Sequence, residues 1–171
     1  MSEEIRIYVA DLAAYNNGIL HGAWINACDD LEDIKTQIDE MLAGSPEELA
    51  EEYAIHDHEG FEGYSVSEYS GIDELHEIAC FIDENPGIGG ELLNQFGDNL
   101  EDARRAIDEA YYGCYESVAD YAEELTSGSC QIPEHLSWYI DYERMGRDME
   151  MSGDIFAIKT AYNEVHIFGN F

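Results

Sequence analysis

The chain predicts an α+β protein, elongated and built from three small domains, with antiparallel sheets at both ends and a helical middle. Three observations carry that reading. Short runs alternating apolar and polar residues lie near both ends, while helical spacing fills the interval. The elements come as strands, helices, helices, strands, and not as a βαβ repeat. Gly60, Gly63 and Gly71 punctuate a Ser/Tyr-rich connection, which suits a boundary. The domains are therefore placed at 1–60, 61–97 and 98–171, strung lengthwise.

In the first domain, Ile5, Ile7 and Val9 alternate with Arg6, Tyr8 and Ala10, which predicts a strand. Asp11–Leu20 reads as a loop around Asn16-Asn17-Gly18, and His21–Ala27 as a second strand pairing back across it. Asp30 caps a helix over Leu31–Leu42, with Leu31, Ile34, Ile38, Met41 and Leu42 inward and Gly44 closing it. Ser45-Pro46-Glu47-Glu48 has capping-box chemistry and opens a short turn. Glu52–Asp57 is the third strand.

In the middle domain, Ser70 and Asp73 have capping-box spacing. Ile72, Leu75, Ile78, Ala79 and Ile82 make one helix face, and Asn85-Pro86-Gly87 stops the helix. Its carboxylates Asp73, Glu74, Glu77, Asp83 and Glu84 are the first candidate site residues. Glu91–Phe96 forms a further short helix.

The last domain opens on the most informative stretch, Asp98–Leu125. Asp98 and Glu101 have capping-box spacing. Leu100, Ala103, Ile107, Ala110, Cys114, Val118, Tyr121 and Leu125 recur at steps of three and four, the pattern of one long helix. Wound at 100° per residue, Glu101, Asp102, Asp108, Glu109, Glu116, Asp120, Glu123 and Glu124 fall in an arc of about 160° opposite that face. They would spread over roughly 35 Å of axis. If Gly113 breaks the helix, the arc becomes two shorter pieces. Tyr111, Tyr112, Tyr115 and Tyr121 read equally as core residues and as a subunit interface, where Tyr is enriched. The first three are assigned to a dimer interface. Pro133 begins a helix running to about Met149, ended by Gly153, and Asp154–Lys159 and Glu164–Phe168 form a closing hairpin around Thr160–Asn163.

Charge narrows the function. The net charge is −32 over 171 residues, from 39 acidic and only 7 basic side chains. Between Lys35 and Arg104 there is no Lys or Arg, a gap of 68 residues that holds 19 carboxylates. Such a balance suggests disorder, yet 45% of the residues are hydrophobic and 12% aromatic, enough for a packed core. Solubility needs a net charge of only about 2–8 in magnitude for a small domain. The excess points to a strongly basic binding surface on a partner. An acidic helix face is ordinarily just solvated, but solvated faces mix signs at i, i+4, and this one has only Arg104 and Arg105.

Other chemistry is excluded or weak. There is no GxGxxG, phosphate loop or nucleophile elbow, and Gly87–Gly90 is too short and too acidic in its surroundings to cradle a phosphate. His56-Asp57-His58 is the one cluster with metal-ligand character, but no third ligand has diagnostic spacing. Asp57–Glu68 has acidic residues at some positions of a calcium loop, with Phe61 and Gly63 where oxygens are required. Carboxylate pairs carry no information in so acidic a chain. No cofactor or metal is expected. Cys28, Cys80, Cys114 and Cys130 lie far apart with no CxxC pair, and no leader or long apolar run opens the chain. Those features read as reduced thiols of a cytoplasmic protein.

The runs IYVADLAAYNNGILHGAWINA and EEYAIHDHEGF near the start closely resemble the ArdA antirestriction proteins. WYIDYERMGRDMEMSGDIF and VHIF near the end resemble the same family, and Tyr115–Leu125 (YESVADYAEEL) resembles its acidic antirestriction motif. The resemblance implies an elongated, curved, three-domain protein that dimerises through its C-terminal domain. Its carboxylates would imitate the phosphates of bent B-form DNA in the groove of type I restriction–modification enzymes, against the specificity and methyltransferase subunits, in the cytoplasm of a bacterial host entered by mobile DNA. The matched motif acids are Glu116, Asp120, Glu123 and Glu124, which the resemblance places close to the dimer contact. No catalysis is expected, and neither nucleic acid nor membrane is an expected partner. The competing expectations are a mimic directed at another DNA-binding protein and a salt-adapted domain whose acidity retains hydration.

Overall fold

The computed structural model describes residues 3–171, which form two compact units, the first running to Asn94 and the second from Gln95 to Phe171. Among the described residues there are eight helices and six strands, the strands in two three-stranded antiparallel sheets. The protein is α+β.

Alternation organises the first sheet. β1 (Arg6–Asp11) lies between β2 (Gly22–Asn26) and β3 (Tyr53–Glu59), antiparallel to both. Ile7 stands opposite Ile25, and Val9 opposite Ala23 and Ile55. Ile7, Val9, Ile25 and Ile55 are buried. Helix α2 (Leu31–Ala43) packs on β1 and β2 through Ile34, Ile38 and Met41. The Asp30 carboxylate accepts from the Glu32 amide at 3.0 Å, and Gly44 ends the helix. On the other face the Tyr8 and Trp24 rings are 5.5 Å apart, with the Arg6 guanidinium 5.3 Å from Trp24.

The expected loop after β1 contains a helix, α1 (Leu12–Asn16). Asp11 starts it, accepting from the Ala14 amide at 3.2 Å and from the Ser45 hydroxyl. Ser45 in turn accepts from the Glu47 amide at 3.0 Å, so its capping chemistry serves two turns. Among the described residues, Asp11 is the only buried carboxylate. Burial pushes its pKa up, but the bonds from Ser45, Ala14 and Ala13 outweigh this and hold it below the usual carboxylate value.

Helices α3 (Ile72–Glu84) and α4 (Gly89–Gln95) bury Leu75, Ile78, Phe81, Ile82, Leu92 and Leu93. The expected Ser70 cap does not form. Gly71 takes the N-cap position without a side-chain bond. The glycines before α4 serve close packing. A side chain at Gly90 would stand 2.5 Å from the Glu62 carbonyl, and one at Gly89 2.8 Å from the Ile82 Cα.

The second unit corrects the sequence reading most. The single helix expected over Asp98–Leu125 is two helices, α5 (Leu100–Glu109) and α6 (Val118–Ser129), with strand β4 (Tyr111–Tyr115) between them. Tyr-Tyr-Gly-Cys-Tyr favours an extended chain. Gly113 has φ +125°, beyond the reach of ordinary residues, and β4 gains a ladder to β6. Asn99, not Asp98, caps α5, accepting from the Asp102 amide at 3.1 Å. The helix expected from Pro133 to Met149 also divides, into α7 (Glu134–Ser137) and α8 (Tyr142–Ser152). Asp141 starts α8 by accepting from the Arg144 amide at 3.0 Å.

The hairpin expected at the end forms from β5 (Ile155–Ala161) and β6 (Glu164–Gly169), and the sheet order is β4-β6-β5. One face offers Ile155, Ala157, Val165 and Ile167 to Tyr121, Val118 and Met149 of α6 and α8. The other stacks Phe156 on Phe168 at 5.1 Å, with Phe96 edge-on to Phe156 at 5.7 Å. Gly146 of α8 is buried against α6, where a side chain would stand 2.9 Å from Val118 Cγ1.

Asp11→Asn should therefore lower stability at pH 7 by about 1–3 kcal/mol, because a buried network loses its charged acceptor. A carboxylate held below its ordinary pKa of about 3.9 stabilises the fold above that pH and loses the contribution below it. The gap between wild type and variant should thus close as pH falls below about 4, which denaturant titrations across the acid range would measure.

Candidate functional site

Helix geometry distributes the acids. Apolar residues of α2, α3, α5 and α6 turn inward, so the carboxylates between them turn outward. Of the 39 carboxylates, Asp11 is buried, Glu47 and Asp102 are half-buried, and the rest are exposed. All the expected site acids except Asp102 thus lie fully on the surface.

In the first unit, α3 carries Asp73, Glu74, Glu77, Asp83 and Glu84. At 100° per residue, Asp73, Glu77 and Glu84 share a stripe about 40° wide. Among the described residues, Asp73 alone of these five meets a cation, Lys35 of α2 at 2.9 Å. Its hydrogen bond raises the Lys35 pKa.

In the second unit, Glu101, Asp102, Asp108 and Glu109 lie within about 120° on α5. Arg105 pairs with Glu109 at 2.9 Å, leaving Asp108 without an ion pair among the described residues. Asp120, Glu123 and Glu124 belong to α6, and Glu116 to the bend before it. The eight acids expected on one arc are therefore on two helices and a bend.

Two kinds of acid can be told apart by where they sit on a helix. Glu32 and Asp33 of α2, Asp73 and Glu74 of α3, and Glu101 and Asp102 of α5 occupy first turns, where the helix dipole favours them. Asp83 and Glu84 end α3, Asp108 and Glu109 end α5, and Glu40 and Glu150 lie in the last turns of α2 and α8. The dipole opposes an acid there by roughly 0.3–1 kcal/mol, and none of these four helices has a basic residue in its last turn. The acids of α2 and α8 fall outside the expected set, although the spacing of Asp39 and Glu40 against Ile34 and Ile38 carried the same signal.

The tyrosines of β4 each have partners within the unit. The Tyr111 hydroxyl is 2.8 Å from His166 Nδ1. Tyr112 stacks on Tyr121 at 5.9 Å, and Tyr115 meets Tyr121 edge-on at 5.3 Å. Tyr111 and Tyr112 remain exposed, on the outer strand of the sheet. The Tyr115 hydroxyl bonds to Glu124, and that bond, followed by burial, pushes its pKa up to about 12. His56 lies 3.4 Å from Glu68, and His58 packs edge-on against Phe61.

The ArdA family model, described as antirestriction protein (ArdA), matches residues 7–164. The chain belongs to the ArdA antirestriction family. Comparison with curated proteins gave no match. ArdA membership makes this an antirestriction protein, one that acts on restriction–modification enzymes. Among the described residues, no helix of this ArdA chain is long and apolar enough to cross a membrane.

The stretch resembling the ArdA acidic motif contains two structural groups. Asp120 receives the Ser117 hydroxyl at 2.6 Å while its amide donates to Ser117 Oγ at 3.1 Å, a reciprocal cap for α6. Glu124 holds Tyr115. Glu116 and Glu123 are exposed and form no ion pair among the described residues.

Glu84→Gln removes an acid opposed by its own helix. It should raise thermal stability at low ionic strength by about 0.3–1 kcal/mol. The gain should shrink as salt screens the dipole, which melts in low and high salt would show.

Proposed function

We propose that this chain is a stoichiometric inhibitor that fills the DNA-binding groove of a type I restriction–modification enzyme with side-chain anions. One observation supports this above the others. Exposed carboxylates crowd the C-terminal turns of four helices, and none of those turns carries a basic residue. Folding does not explain anions placed against the helix dipole, whereas a cationic partner does.

The density suits such a partner. α3 sets five carboxylates along about 20 Å of axis, and a DNA strand carries one phosphate per roughly 3.4 Å. Most protein–DNA hydrogen bonds go to the backbone, so the specificity and methyltransferase subunits can be satisfied without any base being read. The phosphate-like positions are the exposed acids of α3, α5 and α6 together with Glu116, while Asp120 and Glu124 also support α6 and β4. A homodimer through β4 fits the same electrostatics, since Tyr111–Tyr115 is an uncharged outer strand on which two polyanions can meet. The site of action is the bacterial cytoplasm, on behalf of incoming mobile DNA, and no catalytic step is involved.

Titrating the protein into cleavage and methylation assays of type I enzymes tests this. Inhibition should saturate at a fixed ratio of protein to enzyme, be relieved by excess duplex, and be equal for enzymes with different target sequences. Inhibition that is catalytic, insensitive to duplex, or confined to one target sequence would refute it.

A further inference from the structure

The connection between α6 and α8 carries the most exposed aromatic pair of the second unit. Trp138 is 85% exposed and Tyr139 83%, with Leu136 beside them at 47%. Neither ring has a ring contact or side-chain hydrogen bond among the described residues. Trp138 lines a cleft of about 700 Å³ together with Ser127, Cys130 and Tyr142. The same cleft is lined by Glu123 of the acidic motif.

We propose that Trp138 and Tyr139 are a second kind of contact with the target, docking on the arginine-bearing surface of the enzyme's DNA groove. This rests on the function proposed above and adds an apolar, stacking component to its anionic one. Charge complementarity selects that occupant. Glu123 lines the same cleft as Trp138, Glu134, Asp141 and Glu143 lie within five residues of the pair along the chain, and no Lys or Arg occurs between Arg105 and Arg144. Arg144 itself is directed to Asp148 at 3.9 Å.

A second copy is disfavoured by the same charges. A two-fold contact places each patch against its own image, and like charges facing each other in an interface cost several kcal/mol. A groove built for nucleic acid offers guanidinium planes and slots for bases. An arginine plane stacks on an indole face while its N–H groups reach neighbouring carboxylates. Trp, Tyr and Arg are the residues that dominate interface energies.

Trp138→Ala and Tyr139→Ala, with Trp138→Phe as the conservative variant, should be compared with wild type for binding a type I enzyme across a range of salt. Trp138→Ala should weaken binding about ten-fold or more at every salt concentration, with the salt slope and the free protein's sedimentation unchanged. Trp138→Phe should recover part of the loss. In a Trp24→Phe background, Trp138 emission should shift to the blue on complex formation. Binding by Trp138→Ala equal to wild type, an unshifted emission, or a changed oligomeric state in the alanine variant would each overturn the proposal. Wild-type protein that fails to compete with duplex overturns the functional reading itself, so the two failures are distinct.

Discussion

Carboxylates held a few ångströms apart repel one another, by roughly 0.7 kcal/mol per pair at ~6 Å in water before screening, and every element of this protein has to form under that condition. With a net charge of −32, the repulsion summed over a surface is comparable to the total stability of a small domain, about 5–15 kcal/mol. Both units meet it by burying the apolar faces of their sheets and helices. Ile7, Val9 and Ile25 close against α2 in the first unit, and Val165 and Ile167 against α6 and α8 in the second. Acids in first turns are accommodated by the helix dipole. The few cations are used where they join elements, as Lys35 joins α2 to α3 and Arg6 joins β1 to β3 through Glu59 at 2.5 Å.

The remaining acids are the instructive ones. Asp83, Glu84 and Asp108 oppose their helices and meet no cation among the described residues. Stability alone would favour their replacement, and that is the ground for the proposal that a cationic partner calls for them. The stretch resembling the acidic motif shows the same separation on a smaller scale. Asp120 and Glu124 are tied into the cap of α6 and the hydroxyl of Tyr115, whereas Glu116 and Glu123 face solvent. Neutralising the first pair disturbs the scaffold, and neutralising the second changes only the surface.

The elements legible in the sequence were those with a strict period and chemically marked ends. β1 alternates from Arg6 to Val9, α2 has Asp30 and Gly44 as caps, and the closing hairpin is two apolar-rich runs around Thr160–Asn163. α1 was not legible, because five residues are too few to show a period. β4 was hidden by coincidence. Ala110, Cys114, Val118 and Tyr121 continue the three-and-four spacing of α5 across a segment that pairs with β6. The signal that could have found it was Ser117 with Asp120, a second helix start inside the supposed helix. Asp141 was the equivalent signal for α8. At the candidate site, the outward placement of the acids followed from their position opposite apolar residues. The ties of Glu124 to Tyr115 and of Asp73 to Lys35 depended on tertiary approach, which spacing does not encode.

The proposed binding surface is a set of anions fixed on a folded scaffold, and the salt dependence of affinity tests it most directly. Binding to a type I enzyme should fall linearly on a plot of log K against log salt, with a slope of the order found for duplex DNA in the same groove. Neutralising Asp83, Glu84 and Asp108 together should make that slope shallower while the fold persists. An affinity that does not change with salt, or a slope unaltered by removing those three charges, would contradict it.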